Sequence, residues 1–295
     1  MSEQTYSIKD LEDISGIKTH TLRAWERRYN IFSPGRTSTN IRYYSDEDLK
    51  KLLSISMLLN YGMKISQVAC LNSTQLNEKV RAIYSSGDYE SLIDSLVINM
   101  IDFDELSFEK HLNKAIFNLG FEEATYKVIY PFFSKVGILW QTGSINPAQE
   151  HFVTNIIKQK FYLAISSLDT PSVNSKTFIL FLPENELHEL SLLLSYYLIR
   201  KHGHKAIYLG QAMPMKVVLK TLESTGADFI VTHFISQFEE DNLVEYLTEF
   251  SREAGETPVL VSGFQAKIIL QKPVDNVRFI ESPEEFQAFL ISLKA

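Results

Sequence analysis

The sequence predicts a multidomain chain of α and α/β class: a small basic head of short helices, a helical bundle, and a doubly wound parallel sheet. Three observations carry that expectation. Residues 7 to 44 hold two short amphipathic helices around a glycine and crowd Lys and Arg into one stretch. Residues 71 to 169 repeat apolar side chains at three- and four-residue spacing with few breakers. The last third alternates apolar runs of strand length with helical segments. The boundaries are placed at 1–75, 76–170 and 171–295, each a normal size for one module.

Ser7 is suited to cap a helix through Ile14, and Gly16 makes the tight turn that follows. A second helix starts near Lys18, with Ile17, Leu22 and Trp25 facing a small core. Its exposed positions, Lys18, Thr19, His20, Arg23 and Arg27, are residue types that hydrogen-bond base edges and phosphates. From Lys18 to Arg42 six Lys/Arg stand against one Glu, a local +5 in a chain of formal net charge −7. An acidic protein with one such patch confines its electrostatic footprint to that patch. Double-stranded DNA is the partner this implies.

These residues resemble the winged helix-turn-helix of the MerR family of bacterial transcription regulators. In that family an arginine-rich aromatic segment ends the second helix, followed by a Pro-x-Arg loop and a wing ending Tyr-Arg-x-Tyr. Here the helix reads Leu22-Arg23-Ala24-Trp25-Glu26-Arg27-Arg28-Tyr29, the loop Pro34-Gly35-Arg36, and the wing Ile41-Arg42-Tyr43-Tyr44. Trp25 stands at a usual Tyr position, Asn40 at the usual wing Gly, and Ile41 for Tyr. Asn enters the left-handed backbone nearly as readily as Gly, so the wing turn is expected to survive. Ser45 and Asp48 are placed to cap a following helix through Met57. The resemblance covers about the first 75 residues. It implies DNA contact by Arg23, Trp25, Arg27, Arg36, Arg42 and Tyr43, with Lys18, Thr19 and His20 nearest the bases. One short helix reads a major groove weakly, so a homo-oligomer on repeated half-sites is expected.

Composition bounds the rest. With 45% hydrophobic and 22% charged residues the chain reads as globular and soluble. No apolar run is long enough to span a bilayer and the N-terminus lacks a signal-peptide pattern, so a cytoplasmic protein is expected, without membrane partners. Cys70 is alone, which excludes a disulfide framework and the paired-cysteine sites of metal- and redox-sensing relatives. It is expected to be a small buried hydrophobe.

In the middle segment Leu92, Leu96, Met100 and Ile101, then Phe108, Leu112, Ile116, Phe117 and Leu119, recur at bundle spacing. Phe121 to Leu139 continues the pattern, with Pro131 expected in a first turn or at a kink. Gly143 and Pro147 interrupt, and Ala148 to Leu168 forms a further helix, about four in all. In the last third, strands are read at 176–183, 204–210, 227–234, 258–262 and 277–280. Helices are read at 187–201, 214–223, 241–254 and 283–293. Ligands of such sheets sit beyond the carboxyl ends of the strands, where His188 and Gly263 fall. His202 and His204 are read as solvent-facing turn residues.

A second resemblance covers roughly residues 80 to 295. A bundle followed by a flavodoxin-like domain looks like the cobalamin-binding module of corrinoid proteins, and the whole combination is similar to the light-sensing CarH/LitR regulators. The bundle motif is Trp, nine residues, then Glu-His; this chain has Trp140 and Glu150-His151. In the family these lie over the cofactor's upper face. The sheet motif is Asp/Glu-x-His-x-x-Gly, and here it reads Glu186-Leu-His188-Glu-Leu-Ser191. The resemblance implies His188 as the cobalt ligand, oriented by Glu186, since imidazole suits cobalt when a carboxylate holds its second nitrogen.

The sequence departs from that pattern at several places. Ser191 replaces the Gly that lets the cofactor's nucleotide tail pass, and His233 falls where a Ser is usual. Ser262-Gly263-Phe264 replaces a Gly-Gly-small turn, with Phe264 read as able to fill the slot for the lower base. Gln141 stands where the light sensors carry a His, so that photochemistry is expected to be absent. Two readings stay open: a module that takes cobalamin, with Ser191, Ser262 and Gly263 along its tail, and a cofactor-free module addressed by a protein partner. Catalysis is not expected, because the chain has no Walker loop, Gly-x-Ser-x-Gly elbow or His-Glu-x-x-His. A corrinoid carrier of a methyltransferase system is the alternative from another class, and it has no use for a winged helix.

Overall fold

Ser7 starts the first helix, α1 (Ile8–Ser15), through a reciprocal cap: its Oγ accepts from the Asp10 amide at 3.2 Å, and its own amide donates to Asp10 Oδ2 at 2.7 Å. Gly16 ends that helix at φ +74°, the left-handed conformation a side chain would strain. The second helix, α2 (Thr19–Tyr29), follows as expected. The computed structural model describes residues 5–37, 40–60, 62–72, 74–76, 79, 89–141, 145–171, 175–235 and 240–293. It gathers them into two compact units, 1–156 and 157–295, so the head and most of the bundle share one unit.

The head also contains three short strands: β1 (Thr5–Tyr6), β2 (Gly35–Arg36) and β3 (Arg42–Ser45), antiparallel in the order β1-β3-β2. Two-residue strands carry no alternation to read, and so they leave no periodic signal. Asn40 takes φ +65° at the wing turn, as the sequence required. Ser45 and Asp48 exchange amide hydrogen bonds of 3.0 and 3.2 Å and open α3 (Asp46–Asn60), which runs past its expected end at Met57. Leu11, Leu22, Phe32, Tyr44, Leu49 and Leu52 are buried beneath these elements. Cys70, just after α4 (Ile65–Val68), is exposed and donates to the Ser66 carbonyl, contrary to the buried role expected.

The bundle comprises α5 (Tyr89–Ile101), α6 (Glu105–Leu119), α7 (Phe121–Ala124), α8 (Tyr130–Gln141) and α9 (Pro147–Ser166). A π-helical turn, Thr125–Ile129, joins α7 to α8. Pro131 follows it as the second residue of α8, so the N–H that proline lacks is missing at an irregular turn rather than inside a regular helical run. Gly143 lies outside the described residues. Phe117 breaks the expected pattern, being 89% exposed. Phe108, Leu112 and Ala115 form the buried stripe of α6, and nine residues beyond Phe108 is half a turn round the helix.

Head and bundle meet where α3 packs on α5 and α1 packs on α8. The Lys50 ammonium on α3 pairs with Asp102, in the turn after α5. That turn is held from the other side as well. Gln149 Nε2 donates to the Ile101 carbonyl at 3.2 Å, and Phe103, at φ +53°, meets Phe152 with ring centroids 5.4 Å apart.

The second unit is the doubly wound sheet. Its strands are β4 (Thr177–Pro183), β5 (Lys205–Met213), β6 (Phe229–His233), β7 (Val259–Ser262) and β8 (Val277–Phe279). All pair in parallel in the order β5-β4-β6-β7-β8, so the winding reverses between β4 and β6. The helices between them are α10 (Glu189–Lys201), α11 (Met215–Thr225) and α12 (Glu240–Ala254); α13 (Pro283–Ser292) follows β8. A 3-10 turn, Gln265–Leu270, replaces a helix before β8. Phe178 to Pro183 are all buried, as a central strand covered on both faces requires. His204 is buried rather than solvent-facing. Its Nε2 lies 3.2 Å from the Leu290 carbonyl, one of the oxygens left without an intrahelical partner at the end of α13. No helix among the described residues is long and apolar enough to cross a membrane.

Candidate functional site

On α2 the side chains of His20, Arg23 and Arg27 are exposed, as is Lys18 just before it. Lys18 provides no side-chain cap, and Glu12 of α1 does so instead. Its Oε2 accepts from the Thr19 amide at 3.0 Å and from the Thr19 hydroxyl, while Lys18 Nζ lies 3.1 Å from Oε1. Those hydrogen bonds, the Thr19 hydroxyl foremost, hold the Glu12 carboxyl down at about 2. Thr19 thereby joins the two helices. Trp25 is half-buried.

The wing is tied to α2 through a residue the sequence reading passed over. Glu26 accepts from Arg42 Nε through one oxygen and from the Tyr44 hydroxyl through the other, both at 3.0 Å. Arg36 donates to Asn40 Oδ1 at 2.6 Å, bracing the wing turn. Tyr43 lies directly over Gly35: a Cβ there would stand 2.2 Å from the ring. The glycine of the Pro-Gly-Arg loop thus seats an exposed aromatic beside Arg36 and Arg42.

In the bundle, Trp140 Nε1 donates to Glu150 Oε2 at 2.6 Å, so the two halves of the Trp…Glu-His motif meet across α8 and α9. Trp140 is 40% exposed and His151 is exposed.

In the sheet unit, Glu186 is fully buried and aims its neighbour. One carboxylate oxygen lies 2.7 Å from His188 Nδ1 and accepts from the His188 amide at 3.0 Å; the other accepts from the Ile235 amide at 2.7 Å. The imidazole side chain is half exposed and holds its opposite nitrogen away from the carboxylate. Ser191 donates to the His188 carbonyl at 3.2 Å, within the first turn of α10. Glu189 accepts from the Tyr208 hydroxyl at 2.8 Å and pairs with Lys158 at 2.6 Å.

His233 is buried between two hydroxyls, Ser195 Oγ 3.0 Å from Nε2 and Ser262 Oγ 2.5 Å from Nδ1. Burial pulls its pKa down to about 4, against a partial upward pull from Glu186. Gly263, at φ +101°, presses on the backbone of Phe234, where a Cβ would lie 2.3 Å from the carbonyl oxygen. Phe264 does not fill an interior slot: its ring is 73% exposed, with Lys267 Nζ 5.9 Å from the centroid. No group of three or more potential metal-ligating His, Cys, Asp or Glu occurs among the described residues.

Comparison with known proteins bears on both halves. Residues 6–74 match the MerR HTH family regulatory protein model, and residues 92–164 match the B12 binding domain model. The chain is a DNA-binding transcription regulator whose head is of the MerR type. It is 26% identical over 276 residues to the HTH-type transcriptional repressor CarH of Myxococcus xanthus, covering 90% of this chain and 91% of that protein. It is 23% identical over 288 residues to the repressor CarA of the same organism, covering 96% of each. Among solved structures, the monomethylamine corrinoid protein of Methanosarcina barkeri aligns over 70% of this chain and 99% of its own. The TM-score is 0.55 at 14% identity, a likeness of fold. The regulator thus joins a DNA-binding head to a sensory module derived from a cobalamin-binding domain.

Proposed function

We propose that the regulator reads DNA through the exposed cations of α2 and the wing, and that its C-terminal module senses a corrinoid held through His188. The carrying observation is the buried Glu186, which fixes the half-exposed His188 ring by its Nδ1. A carboxylate-oriented imidazole fits cobalt, and the metal would supply a ligand-exchangeable centre there. Within the bundle, the Trp140–Glu150 hydrogen bond supports the same reading, since it closes the upper half of the cobalamin-type motif. His233, hydrogen-bonded to Ser195 and Ser262, and Gly263, pressed on the Phe234 backbone, would leave little room for a nucleotide tail between them, which favours a corrinoid whose tail is short or held elsewhere. Full-length protein incubated in the dark with methylcobalamin, adenosylcobalamin and the tail-less dicyanocobinamide should keep visible absorption after desalting. Cobinamide should be retained at least as well as the other two, and His188→Ala should shift the spectrum and weaken retention. A colourless protein at millimolar corrinoid would leave a cofactor-free regulator.

We also propose that it assembles as a homo-oligomer on repeated half-sites, because one short recognition helix reads a major groove weakly, and that it works in the cytoplasm, where bacterial DNA lies. Replacing Arg23 and Arg42 together by Ala should weaken binding to a duplex selected from a random pool. The salt slope should fall by about 2 as two phosphate contacts are lost. Unchanged affinity and slope would remove these two residues from the interface.

A further inference from the structure

A carboxylate inside a patch built for a polyanion opposes binding, and Glu26 is the one acid between Lys18 and Arg42. Its side chain is nonetheless pinned in place, only 14% exposed, with both oxygens engaged. The Tyr44 hydroxyl that holds one oxygen belongs to a buried ring, packed edge-on against Phe32. Burial and the Glu26 hydrogen bond push that phenol's pKa up, so it remains a donor. Glu26 is therefore a fixed acceptor, anchored from below by the core of the head.

What it fixes is the angle of Arg42. The bond is to Nε at 3.0 Å, the inner nitrogen of the guanidinium. Among the described residues no hydrogen bond or ion pair engages the two terminal nitrogens, and the side chain is 39% exposed. A guanidinium held by its Nε keeps a planar fork for a second anion, and a fork already oriented loses less entropy on binding. We infer that Glu26 is a positioning residue for DNA reading: it aims the Arg42 fork outward from the wing and locks the wing to α2. The inference rests on Arg42 contacting DNA.

The test is a double-mutant cycle in the full-length protein, using Glu26→Gln, Arg42→Ala and the two combined, against the selected duplex. Glutamine keeps the size but has one carbonyl oxygen where two acceptors are needed. Glu26→Gln should weaken binding about tenfold, the scale of one coupled pair, and cost little more once Arg42 is absent. An equal loss in both backgrounds would mean that Glu26 acts through the fold alone. A gain in affinity would mean that its charge simply repels DNA, and either result overturns the inference. Parent-like binding by Arg42→Ala alone would instead remove the underlying contact, a distinguishable failure that takes the inference with it. If Glu26→Gln unfolds the head, as its melting curve would show, Arg42→Lys asks the same question with the acid in place. Lysine keeps the charge and loses the fork, so affinity should fall; parent-like affinity would overturn the aiming role.

Discussion

Gly263→Ala should destabilise the sheet unit by about 3 kcal/mol or more, the combined scale of a strained left-handed residue and an overpacked contact. At φ +101° any side chain is strained, and here the new methyl would lie 2.3 Å from the Phe234 carbonyl oxygen and 2.8 Å from its carbon. Backbone atoms cannot swing aside as a side-chain end would. The loops after β6 and β7 would have to part, breaking the 2.9 Å bond from the Phe234 amide to the Ser262 carbonyl. Gly226 supplies an internal control. It too is left-handed, at φ +60°, yet nothing lies within 4 Å of its Cβ position, so Gly226→Ala should cost only about 1 kcal/mol. Denaturant unfolding of the two full-length variants decides the matter. Equal costs would mean that the β7 loop is free to lift away.

The second large effect is set by pH. His233 is neutral in the folded chain down to about 4, while an unfolded histidine takes up its proton near 6.5. Above 6.5 both states are neutral and the residue adds no pH dependence. Below it the unfolded chain binds a proton that the folded chain refuses, so stability falls as pH drops from about 6.5 to about 4. The loss approaches about 3 kcal/mol, from the size of that shift. His111 is lowered in the same direction by its own burial and adds to the slope. Comparing parent and His233→Gln isolates the His233 share: the variant should lose less stability than the parent across this window. Parallel curves would show that the imidazole takes up its proton inside the fold, its two serine hydroxyls turning to accept.

The lower half of the cobalamin-type motif was legible because it is local. Glu186 and His188 are two residues apart, and their hydrogen bond follows once the strand ends and the helix begins. The alternation of the last third was legible for a similar reason: buried parallel strands read as unbroken apolar runs such as Phe178 to Leu182. What the sequence hid depends on distance. Glu26 looked like a stray acid because its partners, Arg42 and Tyr44, lie 16 and 18 residues away on the wing. His233 looked like an odd substitution, since Ser195 and Ser262 reach it from α10 and β7. Thr19 has the chemistry of a base reader, and nothing in the sequence signals that its amide and hydroxyl also donate to Glu12. Phe117 fits helical spacing from one starting point and not from another, and only the capped start of α6 decides between them.

The turn after α5 has a bearing on how this regulator can be dissected. Residues 101 to 103 are gripped by Lys50 from the head and by Gln149 and Phe152 from the helix that carries Glu150 and His151. A head excised near residue 75 keeps its own cap, wing and core, but leaves Lys50 without Asp102 and strips α3 of the helix it packs on. Such a fragment should melt below the head of the full-length chain, and a graft onto a foreign bundle should regain stability where that bundle offers an acid at the same turn. The joint at residues 101 to 103 is thus the place where a boundary between head and bundle costs most.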